Sequence, residues 1–126
     1  MTEAFFRLAR HELPDGSCHF DLFILVPGAD VLLTYEISDH VPEKLREMAR
    51  DPESPPVLLS RPADEAAPRT PEDAQNRLLA RKKGDHRLLY WDFTGPIEGD
   101  RGFLSEESRG LIRGELNESV LELVLE

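Results

Sequence analysis

Apolar and polar positions along the chain alternate over short stretches broken by turn residues. Phe5 to Arg10 is a short apolar-leaning run that predicts a first strand. Pro14-Asp15-Gly16-Ser17 ends it, since Pro presets φ and Gly tolerates positive φ. Cys18 to Val26, rich in Phe, Ile and Val, predicts a second strand. After Pro27-Gly28-Ala29-Asp30, the β-branched and aromatic run Val31 to Ile37 predicts its hairpin partner. From Val41 to Arg50 the period changes. Leu45, Met48 and Ala49 share one helical face there, and Pro42 suits a first turn.

Arg50 to Pro71 holds six of the ten prolines and predicts a long surface loop, pinned briefly at Val57-Leu58-Leu59. Thr70-Pro71-Glu72-Asp73 resembles a capped helix start, so a second helix is expected to run to about Lys83 and stop at Gly84. On that reading Arg81-Lys82-Lys83 is a solvated face. Leu88 to Thr94 predicts a strand, and Gly95 to Gly102 a loop with unusual backbone angles. Phe103 to Glu106 and Leu111 to Glu115 predict a hairpin turning near Ser108-Arg109-Gly110. Asn117 to Glu126 alternates at Leu121, Leu123 and Leu125. Many short strands and little helix imply a mainly β fold, a small antiparallel barrel or sandwich.

The chain has 126 residues, which predicts one domain over 1–126, with the Pro-rich loop at about 50–71 as an insertion. Its net charge of −10 argues against a nucleic-acid-coating protein and against a polybasic membrane binder. The single cysteine, Cys18, excludes an internal disulfide and a cysteine-based zinc site. No basic, apolar leader opens the chain, so a reducing cytoplasm is the expected compartment.

Chemistry concentrates in the histidines His11, His19, His40 and His86. His19 and Asp21 stand at i and i+2 in the second strand, so both project from one face, roughly 6.5–7 Å apart along it. Phe20, Leu22 and Ile24 take the opposite face, toward a core. An imidazole and a carboxylate converging with a second imidazole form a common shell for Mn, Fe or Zn. His86, in Gly84-Asp85-His86-Arg87, is the candidate third ligand. The alternative is a hydrogen-bonded His–Asp pair at a barrel rim. His40 reads as a turn residue, and Trp91 and Phe93 read as core.

The segment Arg10-His11 before His19-Phe20-Asp21-Leu22 resembles the 3′-phosphoesterase domain of the bacterial multifunctional ATP-dependent DNA ligases, the ligase D family. So does Asp85-His86-Arg87-Leu88-Leu89-Tyr90, with the glycine loop Gly99-Asp100-Arg101-Gly102 after it. Small standalone proteins of the same kind look like the closer relatives. The resemblance covers Phe5 to Ile37 and Asp85 to about Glu115, and leaves out the Pro-rich middle.

The resemblance implies a compact β-barrel with one or two short helices. It implies a divalent cation, Mn above all with Zn or another transition metal as alternatives, on His19, Asp21 and His86. It places His11 and Tyr90 near the phosphate as catalytic residues. The implied activity is removal of a terminal 3′-phosphate or ribonucleoside in DNA repair. The implied partners are a nucleic-acid 3′ end or a small phosphoester, and a DNA-repair protein. No membrane is involved, and the net charge makes non-specific DNA binding weak.

Two features depart from the family pattern. Two residues after the motif aspartate the family carries a phosphate-gripping arginine, where this chain has Phe23. The interval from His11 to His19 is also lengthened by a Pro14-Asp15-Gly16 turn. These departures motivate a second expectation: a non-catalytic relative acting as a protein-interaction module.

Overall fold

The computed structural model describes residues 2–37, 41–51, 53–63, 70–71 and 76–125. The strands are β1 (Thr2–Glu12), β2 (Cys18–Leu25), β3 (Val31–Ile37), β4 (Val57–Pro62), β5 (Arg77–Lys82), β6 (His86–Arg87), β7 (Gly95–Pro96), β8 (Phe103–Gly114) and β9 (Val120–Leu125). A short helix, α1 (Glu43–Met48), follows β3, and a single 3-10 turn covers Leu88–Trp91. Seven strands close into a barrel in the order β1-β2-β3-β5-β9-β4-β8, and β8 returns to β1. Closure leaves these strands no free edge along the ring. Every neighbouring pair is antiparallel except β4 and β8, which run parallel.

Alternation divides the wall into two faces. Phe6, Leu8, Leu22, Ile24, Tyr35 and Leu123 point into the barrel and are buried, and Leu45 of α1 joins them. The opposite face of β1, β2, β3 and β8 points outward. A second, smaller core of Ala9, Phe23, Leu32 and Leu104 lies there, roofed by Tyr90, Trp91, Phe93 and Ile97. Segment 86–102 is thus a cover laid over the outside of the barrel wall.

Four expectations are corrected. The stretch from Arg77 to Lys82 is a strand, not the second half of a helix. Long-range pairing to β3 and β9 overrides the local helix signal. Of the helix-start signal, residues 72–75 lie outside the described residues.

Leu88 to Trp91 forms the 3-10 turn rather than a strand, and it turns Tyr90 and Trp91 onto the second core while leaving Leu88 and Leu89 exposed. A short apolar run does not reveal by period alone which structure it takes. The expected hairpin near Ser108 is one continuous strand, β8. Its alternation breaks because Leu8 pairs Ser108 while Ala9 pairs Glu106, leaving Glu107 as a bulge. Gly110 marks not a turn but a close approach: a Cβ there would sit 2.1 Å from the Pro56 carbonyl oxygen. Finally, the Pro-rich segment contributes a full barrel strand, β4, pairing with β8 and β9. His40 and residues 64–69 lie outside the described residues.

Candidate metal centre

The β1–β2 hairpin builds the site. Gly16 adopts φ +89° and Leu13 N–H donates to the Ser17 carbonyl at 2.7 Å, so the turn absorbs the extra residues. The register then places His11 directly opposite His19, and Ala9 opposite Asp21. All of these lie on the outward face. Potential ligand atoms of His11, His19 and Asp21 lie within 4.8 Å of one another. His11 Nδ1 is 3.1 Å from His19 Nε2. His19 Nε2 is 3.5 Å from Asp21 Oδ1, and His11 Nδ1 is 4.0 Å from Asp21 Oδ2. Asp21 is 3 % exposed, so its charge is removed from water and needs compensation.

Second-layer contacts orient the rings. His11 Nε2 lies 2.6 Å from the Arg101 carbonyl oxygen, which only accepts, so Nε2 carries the proton. In the neutral ring this leaves the Nδ1 lone pair directed at His19 and Asp21. A carbonyl fixing the outer nitrogen of a histidine is the usual support for a metal-binding imidazole. His86 is supported in the same way, its Nδ1–H donating to the Gly84 carbonyl at 3.1 Å.

The tight cluster contains His11 where sequence reasoning put His86. His86 instead lines a cleft of about 260 Å³ together with His11, Asp21, Phe23, Tyr90 and Arg101. Its ring packs on Phe23, with centroids 5.3 Å apart, and meets Tyr90 edge-on at 5.6 Å. Tyr90 reaches the cleft from the 3-10 turn. The five sequence-predicted positions therefore gather in one region, as a three-residue cluster and a His86–Tyr90 pair that shares a cleft with His11 and Asp21.

Two lysines of this region were not foreseen. Lys83, just past β5, places Nζ 3.1 Å from Asp21 Oδ1. Lys82 pairs with Asp85 at 2.7 Å. Reading β5 as helix made both a solvated face, and only the β3–β5 pairing reveals their reach. Arg7 also belongs to this region and is 1 % exposed. It donates from Nη1 to the Tyr90 carbonyl at 2.7 Å, from Nη2 to Thr94 Oγ1 at 3.1 Å, and from Nε to Glu106 at 3.1 Å. Burial, partly offset by Glu106, lowers its pKa from the usual arginine value. Arg7 stands directly opposite Phe23 in the register, but its guanidinium is committed to the cover.

No helix among the described residues is long and apolar enough to cross a membrane. Compared with known proteins, the chain matches no family model and no curated protein sequence.

Proposed function

We propose that the chain is a divalent-metal-dependent phosphoesterase, acting on 3′ ends of nucleic acid or on a smaller phosphoester in DNA repair. The observation that carries this reading is the convergence of two imidazoles and a buried carboxylate, of which His11 and Asp21 line a cleft. The donor set fits a transition-type divalent cation: nitrogen and carboxylate ligands, no thiolate, and a carbonyl behind His11. His11, His19 and Asp21 would hold it, and when bound it neutralises phosphate oxygens and lowers the pKa of water.

The chain's own groups supply the rest. His86 and Tyr90 line the same cleft as His11 and Asp21, where an imidazole and a phenol can hydrogen-bond oxygens of a phosphoryl group. Arg87 and Arg101 also line the cleft. They offer guanidinium groups on the side where Phe23 offers none. The acidic chain repels long polyanions, so a short end or a nucleotide suits it better than a duplex.

A second reading has its own support. Phe23 is 1 % exposed and is part of the floor of the second core, in the place of the family's phosphate-gripping arginine. On that reading the barrel is retained as a non-catalytic module that binds a DNA-repair protein. Release of phosphate from a 3′-phosphorylated oligonucleotide in Mn2+ separates the two. The enzyme reading predicts metal-dependent release that disappears in His19→Ala. Absence of turnover on oligonucleotides and small phosphoesters alike sinks it and leaves the module.

A further inference from the structure

We propose that Lys83 is a built-in counter-ion for Asp21 that a divalent cation must displace, so that this lysine sets the metal affinity of the centre. The inference rests on the metal-centre reading above. Lys83 Nζ donates to Asp21 Oδ1 at 3.1 Å, the same oxygen that lies 3.5 Å from His19 Nε2. An ammonium has donors but no lone pair, so it compensates the carboxylate without serving as a ligand. A cation among His11, His19 and Asp21 therefore meets a second positive charge on its own carboxylate, in a partly desolvated place where charges interact strongly.

Geometry makes the exchange feasible in one direction only. The Asp21 side chain is 5 % exposed and stays, whereas that of Lys83 is 32 % exposed and has a path to water. The Lys83 backbone is fixed, since its N–H donates to the Thr34 carbonyl at 2.8 Å. Movement is thus confined to the flexible four-carbon stem. Lys82 is a control of equal charge one residue away: its ammonium serves Asp85 and the Lys83 carbonyl, and not Asp21.

The test is a calorimetric Mn2+ titration of wild type, Lys83→Met, Lys82→Met and His19→Ala. Lys83→Met is expected to bind at least about tenfold tighter than wild type, since a like charge is removed. Lys82→Met should stay within about twofold, as its ammonium compensates Asp85 rather than a ligand carboxylate. Binding by Lys83→Met equal to or weaker than wild type overturns the proposal while the metal centre stands. Failure of the metal centre itself looks different: neither wild type nor Lys83→Met takes up Mn2+. Wild type also provides a check free of any folding defect. Mn2+ should raise modification of Lys83 by an amine-reactive reagent several-fold, read by mass spectrometry, and leave Lys82 unchanged. Unchanged Lys83 modification at saturating Mn2+ overturns it as well.

Discussion

Replacing Arg7 by Met tests how the cover over the cleft is held. The substitution keeps an unbranched stem inside the wall and removes the guanidinium. Three hydrogen bonds are lost, to Glu106, the Tyr90 carbonyl and Thr94. They do not weigh equally. Thr94 is exposed and regains water. Glu106 is 41 % exposed and keeps Arg109, so it is not stranded. The half-buried Tyr90 carbonyl is the group left poorly satisfied.

Stranding a fully buried charge costs about 3–5 kcal/mol, and this case is milder because the acid stays paired. A hydrogen bond to a charged group contributes roughly 1.5–3 kcal/mol, from which the recovered desolvation of Arg7 is subtracted. A loss of about 2–3 kcal/mol follows. With a urea slope of about 1.5 kcal/mol/M, the midpoint falls by roughly 1.5–2 M. Trp91 lies in the cover, with the Arg109 guanidinium 4.8 Å from its ring centre. Its fluorescence should therefore change at lower urea than the far-ultraviolet signal of the barrel. A variant as stable as wild type, with coincident transitions, would refute the reasoning and show that apolar packing alone holds the cover.

Three further outcomes follow from the same structure. Gly110→Ala should lower the urea midpoint by an amount equivalent to about 2–3 kcal/mol, because its Cβ meets the Pro56 carbonyl and the Phe6 ring at once; an unchanged midpoint contradicts this. Phe23→Arg should lose at least about 3 kcal/mol in thermal unfolding, since it removes a buried ring and sets a second guanidinium opposite Arg7. A melting temperature near wild type would count against that. Burial resists ionisation of Glu122, but Arg61 and Arg77 outweigh it and hold its carboxyl below the usual glutamate range. Its depressed folded-state value makes the contribution present above the ordinary glutamate range and lost as pH falls through the folded value. Wild type should therefore lose more stability than Glu122→Gln between neutral pH and pH 3, measured by urea unfolding, and parallel losses would contradict it.

Sequence legibility followed the locality of the pattern. The β1–β2–β3 meander was readable because alternating runs and Gly-containing turns are local signals, and with it came His19 and Asp21 on one face; His11, beyond the expected end of the first strand, joined them only through the β1–β2 register. Barrel closure was not readable. β4 and β5 pair with β8, β9 and β3, strands distant in sequence, and Pro and helix-start residues masked them. Losing β5 also hid Lys83, whose position against Asp21 depends on that pairing. The cover was misread for another reason. Its apolar residues serve a second core outside the barrel, which a one-core picture does not anticipate. His86 and Tyr90 reach the cleft from this cover, so their place beside His11 and Asp21 required the three-dimensional arrangement.

The central claim is that two imidazoles and a buried carboxylate on the outer barrel wall hold a divalent cation. A calorimetric Mn2+ titration of wild type beside His19→Ala tests it most directly, with melting temperatures confirming that both are folded. The account predicts micromolar binding and a metal-induced rise in melting temperature for wild type, and neither for the variant. Equal, negligible binding in both would contradict it and leave His11, His19 and Asp21 as a hydrogen-bonded network neutralised by Lys83.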